Sequence, residues 1–281
     1  MNKKIKQIIN KKNRAKIISL TAYSKNIAQI IDKYVDMTLV GDSMASVLYN
    51  YNTTRKISLD TMIEHAKSVR MGVNKSLMVF DMPYNTYKNK KLALFNVKKV
   101  LKKTKSDAIK LEGGFKIKEI VKHLVKNNIP VLGHLGIMPQ SVRGKFKSKG
   151  KTEIERKKIL KEAKLLEQLG VFAIVLECIE KTLAKKITNE IKIPTIGIGS
   201  SANCDGQILV TDDVIGLTNT KIKFVKKYIN ISGNIATAVK KFKQEVKLKK
   251  YPTKKYSYLK YFLNCSLIWS ISRSTKPPII N

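Results

Sequence analysis

Residues 107–134 read DAIKLEGGFKIKEIVKHLVKNNIPVLGH: a short apolar run, a longer stretch of helical spacing, then a second short apolar run. The runs Asp107–Glu112 and Ile129–His134 have the length and near-continuous apolar character of strands buried on both faces. Lys116–Lys126 between them has the spacing of an amphipathic helix. A strand, a helix and a second strand in about 30 residues is the unit of a parallel sheet.

The same alternation runs outward in both directions. Further strands are predicted at Lys16–Tyr23, Met37–Asp42, Ser76–Asp81, Val171–Glu177, Ile193–Gly199 and Gln207–Val210. Helices are predicted at Lys25–Lys33, Leu59–Met71, Lys91–Lys103, Glu153–Leu169 and Lys181–Glu190. Ser24 stands where an N-cap would, and Gly170 where a C-terminal glycine would. Eight strands alternating with helices imply a βα barrel or a doubly wound sheet. The chain has 281 residues, and a single barrel commonly takes about 250. Neither a GxGxxG nor a GxxxxGK[ST] loop occurs, which weighs against nucleotide binding. Residues 1–250 are expected to form one barrel domain with helices over 222–247. Residues 251–281 are expected to be a poorly ordered tail.

The acids fall at informative places. LVGDS brings a strand to Asp42, LMVFDMP to Asp81, AIKLEGG to Glu112 and VFAIVLEC to Glu177. One acid after a strand is ordinarily a helix cap or a loop charge. Four are another matter, because in a barrel the C-terminal strand ends share one rim, where active sites sit. Carboxylates so gathered raise one another's pKa values. A hard divalent cation such as Mg²⁺ relieves the repulsion and takes oxygen ligands. Lys110, two residues before Glu112, leaves the same face of its strand and could meet an anionic substrate. His134 ends a fifth strand. Cys178, beside Glu177, reads as a small buried residue.

Charge and cysteines bound the rest. Lys and Arg number 56 against 20 Asp and Glu, a formal charge of +36. Only Arg14, Arg55, Arg70, Arg143, Arg156 and Arg273 are arginines, and the lysines are spread along the whole chain. A specific nucleic-acid binder gathers its cations on one element and favours arginine, so the charge reads as a solvated surface. Cys178, Cys204 and Cys265 are an odd set at no zinc-like spacing, which points to a reducing compartment. Met1–Arg14 lacks an apolar stretch long enough for a signal peptide, and no run reaches the roughly 18 apolar residues of a membrane helix. A soluble, cytoplasmic protein is expected.

Nine segments in register resemble the ketopantoate hydroxymethyltransferase family. They are LTAY at 20–23, LVGDS at 39–43, DMPY at 81–84, IKLEGG at 109–114, IPVLGHLGIMPQSV at 129–142, KFKSKGKT at 145–152, VLEC at 175–178, IPTIGIG at 193–199 and DGQILV at 205–210. The resemblance implies a (β/α)8 barrel of the phosphoenolpyruvate/pyruvate type, assembled as a homodecamer. It implies hydroxymethyl transfer from 5,10-methylenetetrahydrofolate to 3-methyl-2-oxobutanoate, giving 2-dehydropantoate for pantothenate synthesis, with one Mg²⁺ per subunit stabilising an enolate.

By position the resemblance assigns Asp42, Asp81 and Glu112 to the metal. It assigns Asp42, Ser43, Asp81 and Lys110 to the oxo acid, Glu177 to proton acceptance, and Tyr23 and His134 to the pocket lining. The chain departs from the family pattern at Ser24, Ala45, Tyr51, Asn52, Ser200, Ser201 and Asp212, which touches none of the metal positions nor the base. Two other readings share part of the sequence: a 2-oxo acid lyase or mutase of the same superfamily, and a lysine-rich nucleic-acid-binding protein on a retired enzyme scaffold.

Overall fold

The computed structural model describes residues 2–141 and 147–258. In chain order the elements are α1 (Lys3–Asn10), β1 (Ile17–Thr21), α2 (Lys25–Ile31), β2 (Met37–Val40), α3 (Met44–Val47), α4 (Leu59–Arg70), β3 (Leu77–Asp81), α5 (Lys90–Thr104), β4 (Ala108–Glu112), α6 (Lys118–Lys126), β5 (Val131–Gly136), α7 (Glu153–Gln168), β6 (Ala173–Glu177), α8 (Lys181–Glu190), β7 (Thr195–Ile198), β8 (Gly206–Leu209), α9 (Thr211–Val214) and α10 (Ile231–Lys247). The eight strands form one closed barrel in sequence order, with β1 pairing β8. Every pairing is parallel. The fold is a TIM barrel, the one of the two arrangements left open by the alternation that the family resemblance implies.

Closure explains why the strands read as unbroken apolar runs. Successive side chains alternate between barrel interior and helix layer. One set, including Ile17, Met37, Val79, Leu132, Val175 and Ile208, forms one buried cluster. The other, including Val40, Phe80, Ile109, Leu111, Ile174 and Leu176, forms a second cluster with apolar residues of the surrounding helices. By the same alternation Lys110 and Glu112 share a face with Ala108, whose place is in the first cluster.

Helix ends follow local chemistry. Ser58, Asn89 and Thr152 accept from the backbone N–H groups of Thr61, Leu92 and Glu155, capping α4, α5 and α7. Gly170 follows α7 with a φ of +87°, as a C-terminal glycine should. Ser24 differs from expectation: it precedes α2 in extended conformation, but its side chain makes no cap hydrogen bond.

A further element escapes the sequence reading. Helix α1 turns Ile5 and Ile8, both nearly fully buried, into the cluster of inward strand residues. Lys4 Nζ donates to the carbonyls of Asn74 (2.8 Å) and Ser76 (2.9 Å), both just before β3. Lys12 Nζ donates to Thr188 O (2.6 Å) and Asp205 Oδ2 (2.9 Å). Asn74, Ser76 and Asp205 stand just before strands and Thr188 near the end of α8, so α1 stops the N-terminal mouth of the barrel.

The chain divides into two compact units, Met1–Ile229 and Asn230–Asn281. Of the helices expected over 222–247, only α10 forms, and residues 219–230 are irregular. Of the tail expected over 251–281, residues 251–258 are described and include a 3-10 turn at Lys254–Tyr256; residues 259–281, with Cys265, lie outside the described residues. Among the described residues no helix is long and apolar enough to cross a membrane.

Asp32, at the end of α2, ties that helix to the start of β3. Its carboxylate accepts from the N–H groups of Asn74 (2.9 Å), Lys75 (2.9 Å) and Ser76 (2.8 Å) and from Ser76 Oγ (2.7 Å). Burial opposes its ionisation, but these donors outweigh burial and hold its pKa below the ordinary value. Such a group stabilises the fold above the unfolded pKa of about 4 and loses that contribution as pH falls through its lower folded value. Asp32→Ala is expected to lower unfolding free energy at pH 7 by about 3 kcal/mol. The difference from wild type should shrink below about pH 4, which urea denaturation across pH measures directly.

Candidate active site

Strand register assembles the site. Asp81 pairs with Lys110 across β3 and β4, Glu112 with His134 across β4 and β5, and Gly136 with Glu177 across β5 and β6. Five side chains from four strands form a chain of contacts at the C-terminal rim. Lys110 Nζ lies 2.6 Å from Asp81 Oδ1 and 3.8 Å from Glu112 Oε1. Glu112 Oε1 lies 3.4 Å from His134 Nδ1, and His134 Nε2 lies 3.2 Å from Glu177 Oε2. Asp42, two residues beyond β2, joins them by donating its N–H to Asp81 Oδ2 (3.3 Å).

Gly136 makes the last step possible. Its φ is +103°, and a Cβ there would stand 2.1 Å from the Glu177 carbonyl. Only glycine lets β5 end so close to the strand carrying Glu177.

The cavity above this rim has a volume of about 470 Å³. Asp42, Ser43, Asp81, Lys110, Glu112, His134 and Glu177 all line it. Tyr23 corrects the expectation, because it is not among the lining residues; it is buried, with its hydroxyl 2.8 Å from Ser43 Oγ. The wall from β8 onward is largely apolar, with Ile208, Val210 and Phe224, and also carries Asp213, Thr218 and Thr220. Phe224 closes over Gly199, where a Cβ would approach the ring to 2.4 Å. Nothing in the sequence pattern marks Phe224, which lies outside any strand or helix.

Charge is badly balanced here. Asp42, Asp81 and Glu112 are all buried, and among the described residues Lys110 and a protonated His134 bring the positive charge beside them. Burial, then the charges of Asp81 and Glu112, push the Asp42 pKa well up. Burial also raises that of Asp81, although Lys110 opposes it. For Glu112, burial is outweighed by His134, Lys110 and the Gln140 N–H, and its pKa falls. Burial and the Lys110 charge disfavour a protonated His134, but Glu112 and Glu177 prevail and hold its pKa at about 9. Both His134 contacts lack hydrogen-bond alignment, and Glu112 Oε1 has no aligned donor either. Glu177 is the most open of these acids, its side chain 18% exposed. Burial, then the charge of Glu177, pushes the Cys178 thiol up to about 11, so it is no nucleophile at neutral pH.

Among the described residues no three His, Cys, Asp or Glu side chains already close on a single point as metal ligands do. The Lys110 ammonium stands between Asp81 and Glu112 instead. The donor set nonetheless suits a hard divalent cation: all oxygen, excess negative charge, and a buried carboxylate oxygen without a donor. Sequence reasoning missed Gln140, which bridges Asp42 and Glu112. It lies in the quoted segment GIMPQS, but a glutamine in a turn carries no pattern that marks it.

A family model described as ketopantoate hydroxymethyltransferase matches residues 2–254. The 3-methyl-2-oxobutanoate hydroxymethyltransferase of Pelagibacter ubique (strain HTCC1062) is 63% identical over 258 residues, covering 92% of this chain and 100% of that protein. The enzyme of the same name from Helicobacter pylori (strain ATCC 700392 / 26695) is 45% identical over 251 residues, covering 88% and 93%. Among solved structures, a phosphonopyruvate hydrolase complex with oxalate and Mg²⁺ superposes with a TM-score of 0.58 at 11% identity, covering 90% of this chain and 93% of that one. A 2,3-dimethylmalate lyase of the PEP mutase/isocitrate lyase superfamily gives 0.56 at 11% identity, with 98% of each chain covered. At such identities the two structures establish a shared fold.

Among the described residues Lys110 is the sole lysine within reach of two of these carboxylates. Lys110→Met is therefore expected to destabilise the protein by about 3–5 kcal/mol at pH 7, as loss of one partner from a buried ion pair does. Chemical denaturation measures the difference.

Proposed function

The chain belongs to the ketopantoate hydroxymethyltransferase family, and on that premise we propose that its rim site transfers a hydroxymethyl group to 3-methyl-2-oxobutanoate, with 5,10-methylenetetrahydrofolate as donor. The observation that carries this reading is the run of contacts from Asp81 through Lys110, Glu112 and His134 to Glu177, in one cavity with a largely apolar wall. A branched 2-oxo acid has matching halves: an anionic head for Lys110 and Ser43, and an isopropyl tail for apolar surface.

Glu177 is the proton acceptor. It is the acid most open to the cavity, and removal of the C3 proton places that proton on its carboxylate. His134 holds the other side of Glu177 and is a positioning residue for it. Lys110 supplies positive charge beside the oxygen that gains charge as the C3 proton leaves. Both C–N bonds of the donor's methylene carbon break as water adds its oxygen to that carbon and C3 bonds to it; tetrahydrofolate leaves with one proton from the water and the one that Glu177 took from C3. Asp42, Asp81 and Glu112 would hold Mg²⁺, which when bound supplies Lewis-acid polarisation of the substrate's oxygens.

The protein works in the cytoplasm as an oligomer, with ten copies in the assembly. Reduced Cys178 and Cys204 suit such a compartment. For assembly the support lies in α10, where Ile235, Val239, Phe242 and Val246 recur at helical spacing and are about half exposed among the described residues.

Two measurements test this reading. Glu177→Gln is expected to lower kcat by about 10²–10⁴, to change KM for the oxo acid only a few-fold, and to abolish exchange of the C3 proton in deuterated water. Exchange at the wild-type rate in that variant would exclude Glu177 as the base. Light scattering is expected to give ten times the chain mass of 31.8 kDa for wild type and less for Phe242→Glu; a monomeric wild type would rule the assembly out.

A further inference from the structure

Gln140 is a neutral residue, 2% exposed, in the turn after β5, and it reaches the ends of three other strands. Its Nε2 donates to Asp42 Oδ2 (2.9 Å) and to Met82 O (3.0 Å). Its backbone N–H donates to Glu112 Oε2 (3.1 Å). Its Oε1 accepts from the Tyr87 hydroxyl (2.7 Å). The amide orientation is set by Met82, because a flip would put its oxygen against that carbonyl, which cannot donate.

We propose that Gln140 is a positioning residue for the reaction: an uncharged clamp, locked by Tyr87, that holds the carboxylates of Asp42 and Glu112 so that their remaining oxygens are presented to a divalent cation. The inference rests on the reading that these acids hold such an ion. A buried cluster of acids can be ordered in two ways. A lysine or arginine would order them but also cancel charge, weakening the pull on a cation. An amide and a backbone N–H order them and leave the charge intact. Gln140 takes one oxygen from each acid, and the Glu112 oxygen it leaves, Oε1, is one without an aligned donor. Lys110 serves Asp81 at 2.6 Å and stays 3.8 Å from Glu112, so it does not duplicate the clamp.

The test is Mn²⁺ binding to the full chain, followed by the electron paramagnetic resonance of the free ion, with melting temperature and steady-state kinetics alongside. Gln140→Met keeps the length of the side chain and removes its amide. It is expected to raise the Mn²⁺ Kd about 10- to 100-fold, as loss of a ligand-orienting partner does, and to raise KM for the oxo acid, in a protein that stays folded. Tyr87→Phe removes one hydrogen bond and is expected to raise the Kd about fivefold. It carries the test if Gln140→Met does not fold.

A folded Gln140→Met, or Tyr87→Phe in its place, that binds Mn²⁺ as tightly as wild type overturns the clamp, whatever its melting temperature. Asp42→Asn separates the two levels. If wild type binds Mn²⁺ no better than Asp42→Asn does, the acid reading fails and the clamp falls with it. If wild type binds well and Asp42→Asn does not, an unchanged Gln140→Met overturns the clamp alone.

Discussion

The buried ammonium of Lys110, 2.6 Å from Asp81, is the contact on which the barrel mouth depends. Three carboxylates drawn from three strands cannot share a low-dielectric space without positive charge. Their fields reach Lys110 in turn, and its pKa rises despite its burial. Closure of the barrel makes the arrangement possible, because the strands carry these groups inward at fixed spacing and the surrounding apolar layers hold them there. The single lysine does not balance the cluster, and that shortfall gives the cavity its attraction for a cation and for a chelating 2-oxo acid.

Much of this was legible in the sequence, for physical reasons. An apolar strand that ends in a carboxylate leaves little choice about where that carboxylate goes, so Asp42, Asp81, Glu112 and Glu177 could be placed on one rim from the strand pattern alone. Lys110 followed from its two-residue offset from Glu112. Helix α1 was hidden because only Ile5 and Ile8 of its eight residues are buried, amid lysines that look like surface. Gln140 was hidden because its role comes from a turn that brings it to strands distant in the chain. Tyr23 was placed at the cavity wall yet supports it from behind, since a resemblance of position does not say which way a ring points.

The acids that are not at the mouth also follow a rule. Asp36 accepts from the N–H of Ile18 and from Lys11, Asp107 from the N–H of Met78, and Asp205 from the N–H of Thr195. Each of these acids stands at or just before the start of a strand. One ring of carboxylates therefore ties strand entrances together, and the other crowds the strand exits. Acids at the N-terminal end of a barrel serve stability, while those at the C-terminal end are available for chemistry. With 20 acids against 56 bases, a carboxylate in this chain is seldom idle.

The stopper at the lower mouth has a consequence for how the chain is made. Lys12 meets Asp205 across 193 positions of sequence, so the α1 segment finds its seat only after β8 has been synthesised. Until then Ile5 and Ile8 have no ring to enter, and the half-built sheet carries an open edge of the kind that invites wrong pairing. Closing the ring and seating α1 are thus the same event, and a segment translated before all eight strands is among the last to acquire its native neighbours.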